Sequence, residues 1–464
     1  MAEKEPPGMT PANQAMFTKK KKGGLCLKKL LLAMMLTLFF FTPLVFSYRA
    51  KVIDDRIKAE EASVIAAQTP YDYQNACTVL TEATGRNIPR QFLESLERDT
   101  VDLMLAQAEQ GVKPITVNGE TLNVMFARFT GEIDGKKVID LGSNGNSYFE
   151  LGFGGDINFT SGEYIMPHAE SYVNGVPDCI DTEFKDAMKS VDIMMLNNEF
   201  TYSKRGTPIP NKQFTFRADP SSVKYLNLLG IDIVSLANNH TYDYGSDSFK
   251  DTLEALDKAG IARVGAGSNL EEASASVSYI INGCKVAYLA ASRAENLRLT
   301  PLATTSSEGV CSCYGDSEEF IETIEKTAAK NDYVVVYVHW GTEYSTDLQN
   351  SQKELAKKYI DAGADAVIGA HPHILQGMEF YNGKPVIYSL GNFLFNTKTL
   401  DSGMAVLRIE GDSISLKFMP GRQTDSELKY MKIETERKIL FDRLVSISPS
   451  PIKIDSEGNV TEDK

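Results

Sequence analysis

Cysteine is scarce, with six in 464 residues, too few for a fold held by a disulfide framework. Positive charge is also short. The chain carries 48 Lys and Arg against 62 Asp and Glu, a net charge of −14. The imbalance is uneven, because residues 1–50 hold 8 basic and 2 acidic side chains and leave 40 basic against 60 acidic for the rest. A body at −20 lacks the basic footprint that nucleic-acid binding demands, so nucleic acid is excluded as a partner. Internal repeats are missing too. A composition of 42% hydrophobic and 24% charged residues excludes a disordered or collagenous chain and leaves a globular one. The length allows two to four domains.

Long apolar runs are limited to one. Leu30 to Phe46, LLLAMMLTLFFFTPLVF, is 17 residues interrupted only by Thr37, Thr42 and Pro43. At ~1.5 Å per residue it reaches ~26 Å, enough to cross a bilayer core. Lys19 to Lys22, Lys28 and Lys29 precede it and no comparable cluster follows. The positive-inside bias then places a basic tail (1–29) in the cytoplasm, a single transmembrane signal anchor at 30–48, and the body outside the cell membrane. A buried core helix would show polar positions at helical spacing. A cleaved signal peptide is the nearer rival, but the run is long for one and no Ala-x-Ala site follows. Outside the cell disulfides are permitted. Cys311 and Cys313, one residue apart, read either as a strained pair or as surface thiols.

Residues 49–146 read as a stalk and a small α+β spacer. Residues 50–110 are helical in pattern, and 113–141 switch to strands with hairpin turns at Asn118-Gly119 and Asp134-Gly135. From 147 to 447 short β-rich runs alternate with helical stretches. The runs are 148–153, 192–196, 231–237, 285–291, 333–340, 365–370 and 385–390. The helical stretches include 247–259, 317–330 and 351–362, with Gly260 and Gly363 at the C-cap positions. The alternation predicts an α/β domain of buried, largely parallel strands. A hairpin over 402–420 turns at Gly411-Asp412, a helix runs from about Leu428 to Val445, and 448–464 reads as a loose tail.

Polar residues collect where the β-rich runs end. The first run ends in Gly154-Gly155-Asp156-Ile157-Asn158, the second in Asn197-Asn198-Glu199, and the third in Asn238-Asn239-His240. YVVVYV ends in His339-Trp340-Gly341, and DAVIGA in His371-Pro372-His373. Four of the five histidines are in these clusters. Open α/β sheets bind ligands beyond the carboxyl ends of their strands, so five clusters at five ends can converge on one site. Carboxylates, imidazoles and carboxamides form a ligand set for a divalent metal, and no cysteine takes part. His168 lies in a polar loop without a partner pattern and is read as structural.

The segments Gly155-Asp156-Ile157-Asn158-Phe159, Asn198-Glu199, Ala237-Asn238-Asn239-His240-Thr241-Tyr242-Asp243-Tyr244-Gly245, His339-Trp340-Gly341-Thr342-Glu343-Tyr344, Gly369-Ala370-His371-Pro372-His373 and Tyr388-Ser389-Leu390-Gly391-Asn392-Phe393 resemble the capsule-synthesis CapA family. That family includes the PgsA-type proteins of poly-γ-glutamate synthesis, and the resemblance covers roughly 150–447. The family is similar in turn to calcineurin-like metallophosphoesterases. This implies a four-layer α/β/β/α sandwich with a two-metal site. By the same resemblance Asp156, Asn158, Glu199 and His373 hold one ion. Glu199, Asn239, His339 and His371 hold the other, and His240 is the acid or charge stabiliser. Asn158 stands where the phosphoesterases have a histidine, and Glu199 where they have the bridging aspartate. Manganese, zinc or iron suits such ligands.

Three functions follow as expectations. One is a membrane-anchored metal hydrolase or transferase acting on a cell-envelope polymer such as poly-γ-glutamate, or on a phosphoester. The second is a non-enzymatic component that binds, exports or anchors the polymer together with membrane synthase subunits. The third, an extracellular nucleotidase or phosphodiesterase, rests on fold analogy alone.

Overall fold

The computed structural model describes residues 71–463 apart from 85–87, 89, 113, 123–124, 127–137, 295–298 and 316–317. The chain divides into Met1–Asp72 and a compact unit, Tyr73–Lys464. The expected cytoplasmic tail, the Leu30–Phe46 anchor and the first part of the stalk lie outside the described residues. Among the described residues no helix is long and apolar enough to cross a membrane.

Two mixed sheets form the body. The first runs in the order Ile452–Ile454, Asn459–Glu462, Ser413–Thr424, Leu400–Glu410, Phe149–Ile157, Ile193–Asn198, Ile233–Ser235, Ala262–Val264. Asn392–Leu394 pairs beside the end of Phe149–Ile157, and Glu427–Tyr430 beside Ser413–Thr424. The second runs Met378–Tyr381, Lys384–Ile387, Ala366–Ala370, Tyr333–His339, Cys284–Ser292, Val277–Ile281, Ile139–Gly142. In the second sheet a block of parallel strands is flanked by antiparallel pairings on both sides, and in the first the parallel block runs to the edge with antiparallel strands on its other side. The parallel block points all its polar strand ends the same way.

Three apolar clusters explain the near-continuous hydrophobic runs. Ile193 and Met195 face the second sheet and meet Val286, Tyr288, Val335, Tyr337 and Ile368. Their neighbours Met194 and Leu196 face outward and meet Leu226, Phe249 and Leu256 from the helices Lys224–Leu229 and Ser246–Ala259. On the second sheet Val334, Val336 and Val338 likewise face outward, against Phe320 and Ile324 of Glu318–Ala328 and Leu355 and Tyr359 of Asn350–Asp361. Successive strand residues point to opposite faces, so strands covered on both faces must be apolar throughout. The result is helices, sheet, sheet and helices in layers.

The helices expected at 247–259, 317–330 and 351–362 begin and end within one or two residues of those bounds. Ser246–Ala259 closes on Gly260 at φ 74, and Asn350–Asp361 opens on a Gln349–Gln352 capping box. The 402–420 hairpin is longer than expected, pairing Leu400 with Gln423.

Several expectations are corrected. The 448–464 segment is not a loose tail. Ile452–Ile454 and Asn459–Glu462 form a hairpin against Ser413–Thr424, and Ile452 and Val460 are buried between the sheets. Polar spacing hid those two anchors. The helix expected from Leu428 begins only at Glu434 and ends at Ile447, because Glu427–Tyr430 is taken up as a strand. The spacer is not separate from the α/β body. Ile139–Gly142 extends the second sheet, and the Thr121 N–H donates to the Gly283 carbonyl at 2.9 Å. The Asn118-Gly119 turn joins Thr116–Val117 to Glu120–Thr121, whereas Asp134-Gly135 is outside the described residues. Cys311 and Cys313 are neither a disulfide nor surface thiols; both are buried and no disulfide joins them.

Candidate metal centre

The site lies where Phe149–Ile157, Ile193–Asn198, Tyr333–His339 and Ala366–Ala370 end and the 238–240 loop begins. Gly155 makes the first approach feasible. A Cβ there would stand 1.8 Å from the Gly391 oxygen, to which the Asp156 N–H donates at 2.9 Å. Asp156, Asn158, Glu199, Asn239, His240, His339, His371 and His373 are all buried.

Two groups of side chains each converge closely enough to hold a metal ion. Glu199, His339 and His371 form one, and Asp156, Glu199 and His373 the other. Glu199 belongs to both. In the first group His339 Nε2 is 3.1 Å from His371 Nδ1, 2.8 Å from Asn239 Oδ1 and 3.5 Å from Glu199 Oε1. In the second, Asp156 Oδ2 is 3.3 Å from His373 Nδ1. Glu199 Oε1 is buried with no hydrogen-bond partner among the described residues. A buried carboxylate oxygen left alone is costly, and a cation among these lone pairs would remove that cost. The donor set therefore fits a divalent ion, with imidazole favouring the transition series.

Electrostatics agree with that reading. Burial pushes the Glu199 carboxyl well above its usual range, and the Asp156 charge beside it pushes the same way. Burial alone would raise Asp156 too, but its hydrogen bond to His373 and the nearby imidazoles hold it below the ordinary value. Burial drives His339 down to about 3. It drives His371 well below the usual imidazole range, assisted by His339, His373 and His240. Neutral imidazoles are the form that ligates metal.

The backbone carries strain here. His371 and His373 have φ of 97° and 60°, and Tyr344, which donates its N–H to the Pro372 carbonyl at 2.8 Å, has φ of 56°. Left-handed non-glycine residues cost of order 1–3 kcal/mol each and cluster at functional sites.

His240 is held on three sides. Its N–H donates to Asn238 Oδ1 at 3.0 Å, its Nδ1 meets Asp243 Oδ2 at 2.7 Å, and its ring lies 4.2 Å from that of Phe216. Nε2 is left facing Glu199 Oε1 at 3.9 Å. Asp243 Oδ1 pairs with the buried ammonium of Lys212 at 2.8 Å, and that ammonium also donates to the Asn239 carbonyl.

Asn158 occupies its expected place, but its Oδ1 accepts from the Thr160 N–H at 2.9 Å and hydroxyl at 2.6 Å. Its Nδ2 is buried without a partner among the described residues. His168 is elsewhere, 3.1 Å from Glu427, in keeping with its structural reading.

Sequence reasoning assigned no role to four site residues. Asn197 donates to Asp156 Oδ1 at 2.8 Å and lies 3.3 Å from both Glu199 Oε2 and His339 Nδ1. Asn392 Oδ1 meets His373 Nδ1 at 2.8 Å. Asp243 and Lys212 complete the set. Asn197, Asp243 and Asn392 sit inside or beside the polar motifs, which was the available signal. Lys212 carries none.

Fold and site together define an α/β sandwich with a metal-capable centre at the carboxyl ends of its strands. The chain belongs to the bacterial capsule synthesis protein family PGA_cap, which matches residues 150–397 and so contains every residue of the centre. It is 37% identical over 211 residues to the PGA biosynthesis protein CapA of Bacillus subtilis (strain 168), covering 45% of this chain and 54% of that protein. It is 30% identical over 265 residues to the capsule biosynthesis protein CapA of Bacillus anthracis, covering 56% and 61%. The chain thus spans about half to three fifths of the length of these relatives. Among solved structures, a hypothetical protein from Thermus thermophilus aligns with a TM-score of 0.37 and 17% identity, over 59% of this chain and 99% of that one.

Proposed function

We propose that this protein is a membrane-anchored, outward-facing component of poly-γ-glutamate capsule synthesis whose centre is a two-metal hydrolase site of the metallophosphoesterase kind, acting on an envelope polymer or phosphoester. The observation that carries the reading is the position of Glu199 in both ligand groups, where one carboxylate can bridge two ions. Asp156, Glu199 and His373 would hold one ion, and Glu199, Asn239, His339 and His371 the other. Bound ions of this kind activate water and clamp the oxygens of the reacting group. His240 Nε2, held in place through Nδ1 by Asp243, would deliver a proton to the leaving group. The membrane side of the proposal rests on Leu30–Phe46 and its preceding lysines.

A second reading, a polymer-binding component without turnover, is favoured by one observation. Asn158 turns its carbonyl to Thr160 rather than offering it freely, which leaves the Asp156 ion short of a donor.

One experiment separates the two. Poly-γ-glutamate, a phosphodiester and a nucleotide are offered, with manganese, to the wild type and to His240→Ala and His371→Ala. A hydrolase loses turnover by roughly 10²–10⁴-fold in His240→Ala with metal retained, and loses metal and turnover together in His371→Ala. Metal-dependent retention of poly-γ-glutamate with turnover of none of the three substrates defeats the hydrolase reading.

A further inference from the structure

Beside His371 and His373 an exposed cation is held in place with no carboxylate paired to it among the described residues. The Lys398 ammonium sits 4.1 Å above the Tyr344 ring and 2.9 Å from its hydroxyl. The Tyr344 ring in turn lies 5.8 Å from the His373 ring. The ammonium is therefore no farther from that imidazole than those two ring distances laid end to end.

Both members are fixed from below. Tyr344 is anchored through its backbone to Pro372, between His371 and His373. The Lys398 N–H donates to Asn396 Oδ1 at 3.0 Å, and its carbonyl accepts from the buried Gln423 carboxamide at 3.0 Å. The same carboxamide donates to Asn396 Oδ1 at 2.8 Å. An aromatic wall continues from this point toward the other end of the centre. Phe395 lies 4.7 Å from His373, Phe216 lies 5.5 Å from Phe395, and His240 lies 4.2 Å from Phe216.

From this arrangement we infer that Tyr344 and Lys398 form a carboxylate-binding subsite that selects an acidic, aliphatic-spaced chain and sets its register across the metal centre. The inference rests on the reading of the centre as a polymer site and names the group that site recognises. The Tyr344 ring, 44% exposed, suits a methylene spacer, and its hydroxyl with the ammonium suits one carboxylate. A γ-linked glutamyl repeat of roughly 6 Å, from ordinary bond lengths, puts the recognised carboxylate within two units of the His373 ring. The body is acidic overall, at −20 outside residues 1–50, so a polyanion needs a local cation to offset general repulsion. Lys398 has no ion pair among the described residues and is free to supply it.

The test uses the full chain loaded with manganese and two probes, a γ-linked glutamate hexamer and the same hexamer with its free α-carboxyls amidated. Wild type should bind the acidic hexamer about 5- to 10-fold more tightly than the neutral one, the scale of one charge-assisted contact. Lys398→Ala should erase that preference with metal content unchanged. Lys398→Arg should restore it, and Tyr344→Phe should reduce it. Lys189→Ala, on the remote helix Thr182–Ser190, should leave it intact. If Lys398→Ala keeps the full preference, or if Lys189→Ala loses as much, the subsite is overturned while the polymer reading stands. If wild type binds neither hexamer, the polymer reading falls and the subsite with it.

Discussion

His339 Nε2 and His371 Nδ1 stand 3.1 Å apart at the ends of two neighbouring parallel strands, both rings buried. Parallel pairing puts the carboxyl end of Tyr333–His339 level with that of Ala366–Ala370, with His339 opposite Ala370. One residue later the chain turns into the left-handed region and swings the His371 ring back over its neighbour. Two imidazoles forced together in a site buried from water stay neutral and offer lone pairs.

Metal should follow those lone pairs. His339→Ala and His371→Ala should each strip most of the manganese, zinc or iron that the full chain carries, and His168→Ala should strip none. Elemental analysis of the purified variants checks this, and equal metal in all three excludes the histidines as ligands. Loss of metal should also lower the melting temperature, because a ligand bound only by the folded state stabilises it.

Removing the metal exposes a pH dependence. His339 falls to about 3 in the folded chain, from an ordinary value of 6.5. Between those values the unfolded chain binds a proton that the folded chain refuses. This contribution to stability is complete above pH 6.5 and is lost as pH falls toward 3. His371 is shifted in the same direction. Glu199, raised above its usual range, takes up a proton in the folded chain and opposes this trend, so the histidine contribution is read as the change in the pH 4.5–7.5 melting slope of metal-free protein when His339 is replaced. The slope should shrink in His339→Gln, and an unchanged slope in that variant removes His339 from the account.

Lys212 and Asp243 form a buried ion pair at 2.8 Å. Lys212→Met leaves an anion uncompensated and should cost about 3–5 kcal/mol, most of it recovered in Lys212→Met/Asp243→Asn. The double variant should still bind metal. Any turnover found for the wild type should drop by at least about 10²-fold, because the amide is a weaker acceptor for His240 Nδ1 than the carboxylate and orients the ring less firmly. Denaturant melts and single-turnover rates measure the two effects separately. Unchanged stability in the single variant contradicts the burial of the pair.

The last strands are a structural prediction in themselves. Truncation after Ser448 removes Ile452 and Val460 from between the sheets. At about 1.5–3 kcal/mol for each buried aliphatic side chain, the truncated chain should be several kcal/mol less stable. A chemical denaturation curve that matches the full chain would show that the tail does not contribute to the core.

What the sequence alone determined is local. Apolar runs covered on both faces, helices with their glycine caps, and polar clusters at strand ends are each written in a few consecutive residues. Side-chain alternation and chain reversal are local physics, and the seven apolar strands, the 402–420 hairpin and three of the helices were legible for that reason. The eight candidate residues were legible because parallel strands carry their ends to one side. Tertiary structure decided the rest. Sheet order chose which ends became neighbours and put Glu199 within reach of both groups. It brought Lys212, from a loop with no motif, under Asp243, and it set Lys398 over Tyr344 across 54 residues of sequence. It turned the Asn158 carbonyl toward Thr160, which no spacing foretells. It also recruited Ile452–Ile454 and Asn459–Glu462 into the sheet, because an open edge on Ser413–Thr424 offers unpaired backbone groups to whatever chain can reach it. Such contacts depend on where separate elements dock, and docking is settled by the shape of the whole core rather than by any single stretch of sequence.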